Sequence, residues 1–377
     1  MPMHDTTERQ GATSEKDFSM SHIALLGTLF LLPIFTLEFV GIPLLVGKSL
    51  LLYITLIALL LVWVVVSFRD GIIKVPREYL LLAALPIPLV FLLASFFTPQ
   101  QITVLFGLGH EPNTAAGIFL LMVGLFLSAV YFQSYKHILM FCLVFAASSF
   151  FVVGLFFIDV LIGLYFLLQG SSTLLVSFNN VALYLGATTM VSVLFLEFKI
   201  FSTWAHYVAQ AALVISLLGL IAINFQLAWI LTAVAALIAF VYIVSYRNSK
   251  NSSQKAHVPL FSLGVMIIAV FFSLSSTTIG GIVPSYFNVN DVEIRPSWST
   301  SLEVTEAALS EDFLFGVGPG RFAEAWAKYK PVSINQSVAW NIEFPFAIGM
   351  IPTFVVTTGL LGLLALTLFL GTFMYRG

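Results

Sequence analysis

Charge is scarce in this chain, and much of what the sequence can say follows from that scarcity. Asp, Glu, Lys and Arg make up 9% of its 377 residues, against roughly a quarter in soluble domains, while 59% are hydrophobic and the mean hydropathy is +1.02. A soluble globular enzyme is thereby excluded. Basic clusters are lacking too: the formal net charge is -2 and the cations are dispersed, so nothing offers the footprint that nucleic acid requires. The single cysteine, Cys142, lies in an apolar run, which excludes a disulfide framework and a cysteine-based zinc site. Gly-x-Ser-x-Gly, His-Glu-x-x-His, P-loop and dinucleotide glycine motifs are all missing, so no metal site and no cofactor is expected. The first twenty residues are polar and no small-residue cleavage site follows, so a cleavable signal is not expected either.

What the chain has is apolar length. Ten stretches approach the roughly 20 residues needed to cross the hydrocarbon core: 22–40, 49–68, 79–97, 114–132, 138–158, 179–198, 204–223, 227–246, 258–279 and 352–375. The expected fold is all-α, a polytopic membrane bundle of about ten transmembrane helices. Residues 1–20 form a polar tail expected to be disordered, 21–279 hold the first nine spans, 280–351 form one long polar loop, and 352–377 hold the tenth span and the start of a further loop. With the N-terminus cytoplasmic, eleven Lys and Arg fall on the inner side and five outside, four of these in the long loop. Cytoplasmic loops carry the cationic excess, so the long loop is expected on the outer face. Glu38, Asp159 and Glu197 lie near span ends, where a carboxylate reaches the interface by snorkelling.

The loop carries most of the groups able to do chemistry. One helix is expected to start at Arg295-Pro296, with Pro in the first turn or with Thr300 and Glu303 as a capping box, and to run past Trp298 to Leu309. A glycine turn, Gly316-Val-Gly318-Pro319-Gly320, leads into a second helix from Arg321 to Tyr329, stopped by Pro331. That helix sets Phe322, Trp326 and Tyr329 on one face, the pattern either of a helix lying along a membrane surface or of a packing helix. Both helices open on an arginine, which suits a helix N-terminus only when something negative arrives. A diphosphate would supply it. Local pairing is the alternative: Arg295 with Asp291 or Glu293, and Arg321 with Glu324, the latter favoured for Arg321.

Together these segments resemble a family. Arg295-Pro-Ser-Trp298, then Leu314-Phe-Gly316-Val-Gly318-Pro319-Gly320-Arg321-Phe322, then Thr357-Thr-Gly359-Leu-Leu-Gly362, look like the signature of bacterial O-antigen ligases and O-antigen polymerases. The resemblance covers the loop motifs and overall topology. It implies a twelve-helix plasma-membrane protein with both termini cytoplasmic and its large outer loop between the ninth and tenth spans, so two C-terminal spans would lie beyond Gly377. It also implies transfer of a glycan from an undecaprenyl-diphosphate carrier to a glycan, lipid or protein acceptor, without metal or nucleotide. Arg295 matches the loop arginine thought to hold the carrier diphosphate, and Gly316 to Phe322 match the structural glycine motif.

Two departures stand out. Ile348-Gly349 occupies the place of a His-Asn pair that includes the expected catalytic histidine, and Asn224-Phe225-Gln226 replaces a second arginine. An acceptor base would then be sought among His110 and Glu111 at the entry to the fourth span, and Glu343 beside Asn341. For His110 the plainer reading is an interfacial polar residue. A lipid-linked glycan transporter, or a binding homologue that has lost its base, is the alternative function.

Overall fold

The computed structural model describes residues 20–73, 75–76, 78–99, 101–107, 113–162, 177–198, 203–250, 258–275, 278–286, 289, 295–337 and 339–376. The N-terminal tail, His110, Glu111, Asp291, Glu293 and the Asp159 side chain lie outside the described residues. Those described form helices and connections, with no strand among them. Among the described residues seven helices are long and apolar enough to cross a membrane: Leu44–Asp70, Tyr79–Phe97, Tyr135–Ile158, Phe178–Phe198, Thr203–Ile223, Gln226–Ser245 and Met350–Arg376. At the other three expected positions stand shorter apolar helices, Met20–Leu31, Ala115–Tyr131 and Leu260–Leu274. The architecture is that of a helical membrane protein.

We number the helices α1 (Met20–Leu31), α2 (Leu44–Asp70), α3 (Tyr79–Ala84), α4 (Pro86–Phe97), α5 (Gln101–Phe106), α6 (Ala115–Tyr131), α7 (Tyr135–Ile162), α8 (Phe178–Phe198), α9 (Thr203–Ile223), α10 (Gln226–Lys250), α11 (Leu260–Leu274), α12 (Ile282–Tyr286), α13 (Trp298–Glu311), α14 (Phe322–Tyr329) and α15 (Met350–Arg376). The chain divides into two compact units. One comprises the described residues within Met1–His22, Ser49–Gln133 and Glu293–Gly377, and the other those within Ile23–Lys48 and Ser134–Val292. The long loop is therefore not a unit of its own: α12 belongs with one set of spans, α13 and α14 with the other.

In the unit holding α7 to α12, small residues set the helix spacing. A Cβ on Gly219 of α9 would lie 2.5 Å from Leu185 Cδ1, and one on Gly186 of α8 would lie 2.8 Å from Thr232 Oγ1 of α10, the close approach that small residues permit between membrane helices. Trp229 is fully buried, stacks on Phe272 at 5.0 Å and donates its indole N–H to Asn224 Oδ1 at 3.1 Å. Asn224 turns the chain between α9 and α10 with φ 53, a conformation Asn tolerates better than most residues. Asn224 is thus used to shape a turn and hold a tryptophan.

Glu197 departs from its expected role. It is 6% exposed, and its Oε1 accepts the backbone N–H of Phe261 at 2.8 Å and of Ser262 at 3.4 Å. These are among the first donors of α11, which have no partner within their own helix. A carboxylate there satisfies them and meets the positive end of the helix dipole, so Glu197 is turned inward as an interhelical cap.

The other unit is organised on α15, which packs against α3, α4, α13 and α14. Pro86, which lacks a backbone donor, divides the span Tyr79–Phe97 into α3 and α4 at Leu85. Arg376 closes one end of α15, its guanidinium 4.5 Å from the centroid of the Tyr79 ring. At the start of α13 the residue that caps is Ser297, whose hydroxyl accepts Thr300 N–H at 3.1 Å. The helix begins at Trp298, with Pro296 just ahead of the cap.

Candidate functional site

The glycine turn finds its place in a break in α15. Gly359 sits within that helix at φ 62, ψ -157, a left-handed conformation that only glycine adopts freely. Such a break frees carbonyls before it and N–H groups after it, and buried peptide groups must find other partners. The turn supplies them from both sides. Val317 N–H donates to Val356 O at 2.9 Å and Gly318 N–H to Thr357 O at 3.1 Å, while Leu360 N–H donates to Phe313 O at 3.0 Å and Leu361 N–H to Leu314 O at 3.4 Å.

Close contact explains the glycines. A Cβ on Gly316 would lie 2.3 Å from Val356 O, one on Gly359 would lie 2.3 Å from Leu314 O, and one on Gly318 would lie 2.6 Å from Thr98 Oγ1 at the end of α4. Gly316, Gly318 and Gly320 all have positive φ. Asp312 shapes the start of the turn: its carboxylate accepts Leu314 N–H at 3.1 Å and Phe315 N–H at 3.0 Å. Phe315 then stacks on Phe97 at 4.4 Å. For Asp312 the signal in the sequence is an Asp just before a glycine-rich turn; nothing local points to Thr98.

Behind the turn α14 is a packing helix, which decides between its two readings. Phe322 and Trp326 are fully buried in a cluster with Val304, Ala308, Phe344 and Val356. Trp326 donates to Ile342 O at 3.1 Å and meets Phe344 edge-on at 4.9 Å. Tyr329 packs against the same cluster. Pro319 is buried as well.

The two arginines end up at opposite ends of α13, a fourteen-residue helix and so roughly 20 Å long at 1.5 Å per residue. Arg295 is exposed just ahead of the Ser297 cap, with Trp298 exposed beside it. Arg321 lies at the glycine turn. Its guanidinium pairs with Glu324, Nε standing 2.9 Å from Oε2 and a second nitrogen also bonding that oxygen, and it reaches Val317 O at 3.4 Å. The local partner expected for Arg321 is the one it has.

A cavity of about 380 Å³ opens beside the turn, its lining including Phe97, Thr98, Asp312, Val317, Arg321 and Tyr329 together with Glu311, Glu324 and Lys328. Lys328 Nζ bonds both oxygens of Glu311, at 2.7 and 2.8 Å. This hydrogen bond holds the Glu311 carboxyl below, and the Lys328 ammonium above, their ordinary values. Partial burial raises the Tyr329 phenol.

Ile348 and Gly349 lie just before α15, near the first half of α13. Ile348 N–H donates to Ser301 Oγ at 3.1 Å, and the Gly349 carbonyl accepts from Thr353 Oγ1 at 2.7 Å. Their backbone is committed to tying α13 to the start of α15, and neither residue carries a titratable group. Glu343 is exposed. Among the described residues no group of three His, Cys, Asp or Glu side chains is placed to hold a metal ion. Comparison with protein-family models, curated proteins and solved structures finds no match.

Proposed function

We propose that this chain transfers a glycan from an undecaprenyl-diphosphate carrier to an acceptor at the outer face of a bacterial plasma membrane, in the manner of the O-antigen ligases and polymerases it resembles. The observation that supports this reading is the interlock at Gly359. Two of the separate sequence segments that carry the resemblance, Leu314–Phe322 and Thr357–Gly362, hold each other by two backbone hydrogen bonds, Gly318 N–H to Thr357 O and Leu361 N–H to Leu314 O, with two more formed to the adjoining residues Val356 and Phe313. In this reading the three shorter apolar helices cross the membrane with the seven long ones, the N-terminus is cytoplasmic, and the exposed Arg295 holds the carrier diphosphate while Glu343 serves as the candidate base.

The test is transfer of a lipid-linked glycan in membranes containing the chain, with and without Arg295→Ala. A charge-assisted hydrogen bond contributes about 1.5–3 kcal/mol, so the substitution is expected to lower transfer roughly 10- to 100-fold. Absence of transfer from any lipid-linked donor by the unsubstituted protein would end the enzyme reading. Glu343→Gln is expected to reduce turnover by about 10²–10⁴-fold if that carboxylate is the general base.

The commitment of Ile348 and Gly349 to backbone ties favours a second reading, in which the chain binds or moves the lipid-linked glycan without catalysing its transfer. Saturable binding of undecaprenyl diphosphate, sensitive to Arg295→Ala but without turnover, selects it.

A further inference from the structure

The cavity beside the glycine turn has a chemistry of its own. Its charged side chains are three carboxylates, Glu311, Asp312 and Glu324, against two cations, Arg321 and Lys328. Both cations already bond a carboxylate, and the Asp312 carboxylate bonds two backbone N–H groups. A diphosphate entering here would meet an excess of negative charge and cations whose donors are shared with Glu311 and Glu324. An anion is therefore disfavoured.

The same lining suits a neutral polyol. A carboxylate has about four lone-pair sites, so each of these groups keeps acceptor capacity for a hydroxyl donor, and the ammonium and guanidinium can each share a donor with a hydroxyl oxygen. The remaining wall is apolar or aromatic: Phe97, Val317 and the Tyr329 ring, able to lie against C–H faces. A volume of about 380 Å³ falls within the range of small-molecule sites. A second hollow of about 420 Å³ shares Thr98 and Pro99 with it and is otherwise lined by Gln101, Ile102 and Thr103.

We propose that the cavity between the glycine turn and α14 is a subsite for a neutral sugar ring of the transferred glycan, at the opposite end of α13 from Arg295. This rests on the glycan-transfer reading above, and it assigns Arg321 to sugar recognition through its pair with Glu324.

The experiment uses the whole chain in lipid nanodiscs and saturation-transfer NMR, with glucose, galactose, mannose, rhamnose and N-acetylglucosamine as probes and inorganic pyrophosphate as competitor. At least one neutral sugar is expected to bind. Its affinity should fall about tenfold or more when Glu311→Ala and Lys328→Ala are combined, as expected on losing polar contacts, and should not change with Arg295→Ala or with added pyrophosphate. Glu311 and Lys328 are both exposed, so the double variant is expected to keep its helix content by circular dichroism. Tyr329→Phe, which keeps the ring, provides a second variant and should weaken binding less. Failure of every neutral sugar to bind, displacement of the sugar by pyrophosphate, or unchanged affinity in the double variant would overturn the subsite. Sugar binding without any binding of undecaprenyl diphosphate would retain the subsite and remove the transfer reading; carrier binding and transfer with no sugar signal would do the reverse.

Discussion

Gly316 and Gly359 meet backbone to backbone: a Cβ on Gly316 would stand 2.9 Å from the Gly359 nitrogen and 2.3 Å from Val356 O, and a Cβ on Gly359 would stand 2.7 Å from the Phe315 nitrogen. Both have positive φ. Alanine at either position is expected to cost more than the roughly 1–2 kcal/mol of left-handed backbone alone, since the atoms it strikes are peptide groups that cannot rotate aside. Gly371→Ala, with open space around it, should be neutral or slightly stabilising. Thermal unfolding midpoints in detergent test this; a Gly359→Ala variant that melts with Gly371→Ala would refute the interlock.

The four hydrogen bonds across the break make a second prediction, read by hydrogen exchange. Amides of Val317 and Gly318 lie outside any helix, yet they donate to Val356 and Thr357, so they should exchange as slowly as helix amides. Fast exchange there, at the rate of free peptide, would mean that the turn is not docked.

Removing the carboxylate of Glu197 should loosen the start of α11. Glu197→Ala leaves the Phe261 and Ser262 N–H groups without the acceptor they now share, and is expected to destabilise the protein by about 1–2 kcal/mol, as for lost caps. Glu197→Gln, which keeps an acceptor oxygen, should fall between. The unfolding midpoints of the three proteins decide it, and equality of Ala and wild type would count against the cap.

The pair Glu311–Lys328 has a pH window that follows from its shifts. The Glu311 pKa is depressed from 4.5 by its hydrogen bond to Lys328, so its contribution is present above the unfolded value and lost as pH falls through the folded one. Lys328 is raised from 10.5 by Glu311, so its contribution is present below that value and lost as pH rises through the folded one. The pair is therefore intact across neutral pH and breaks at both extremes. NMR titration of labelled lysine should show Lys328 losing its proton at a lower pH in Glu311→Gln than in the unsubstituted protein; an unchanged titration would show that the two groups do not interact.

Much of this was legible in the sequence because apolar length alone fixes where helices stand: the described helices overlap all ten expected stretches. The α14 stripe of Phe322, Trp326 and Tyr329 was visible at helical spacing, but periodicity does not say whether a membrane or a protein core lies opposite, and Val304, Phe344 and Val356 answered that. Gly359 hid within an apolar run that reads as continuous helix, because a break is a tertiary event: it survives only where another segment satisfies the freed peptide groups. Glu197, near the end of a span, looked like a snorkelling carboxylate for the same reason, since its partners lie at Phe261 and Ser262 on α11. Ser297 caps α13 where the sequence pattern points to Pro296 or Thr300, serine being among the residues best suited to cap a helix.

The break in α15 also bears on how the protein is made. During synthesis the glycine turn precedes the segment whose peptide groups complete it, so until residues 350–376 have been inserted the turn has no ladder to close and α14 lacks Val356 from its core. Conversely, that last segment cannot settle as a bent helix before the turn arrives to occupy the bend. Each is the other's template, and in a chain cut between them the turn and the bend should form only when the two pieces are brought together.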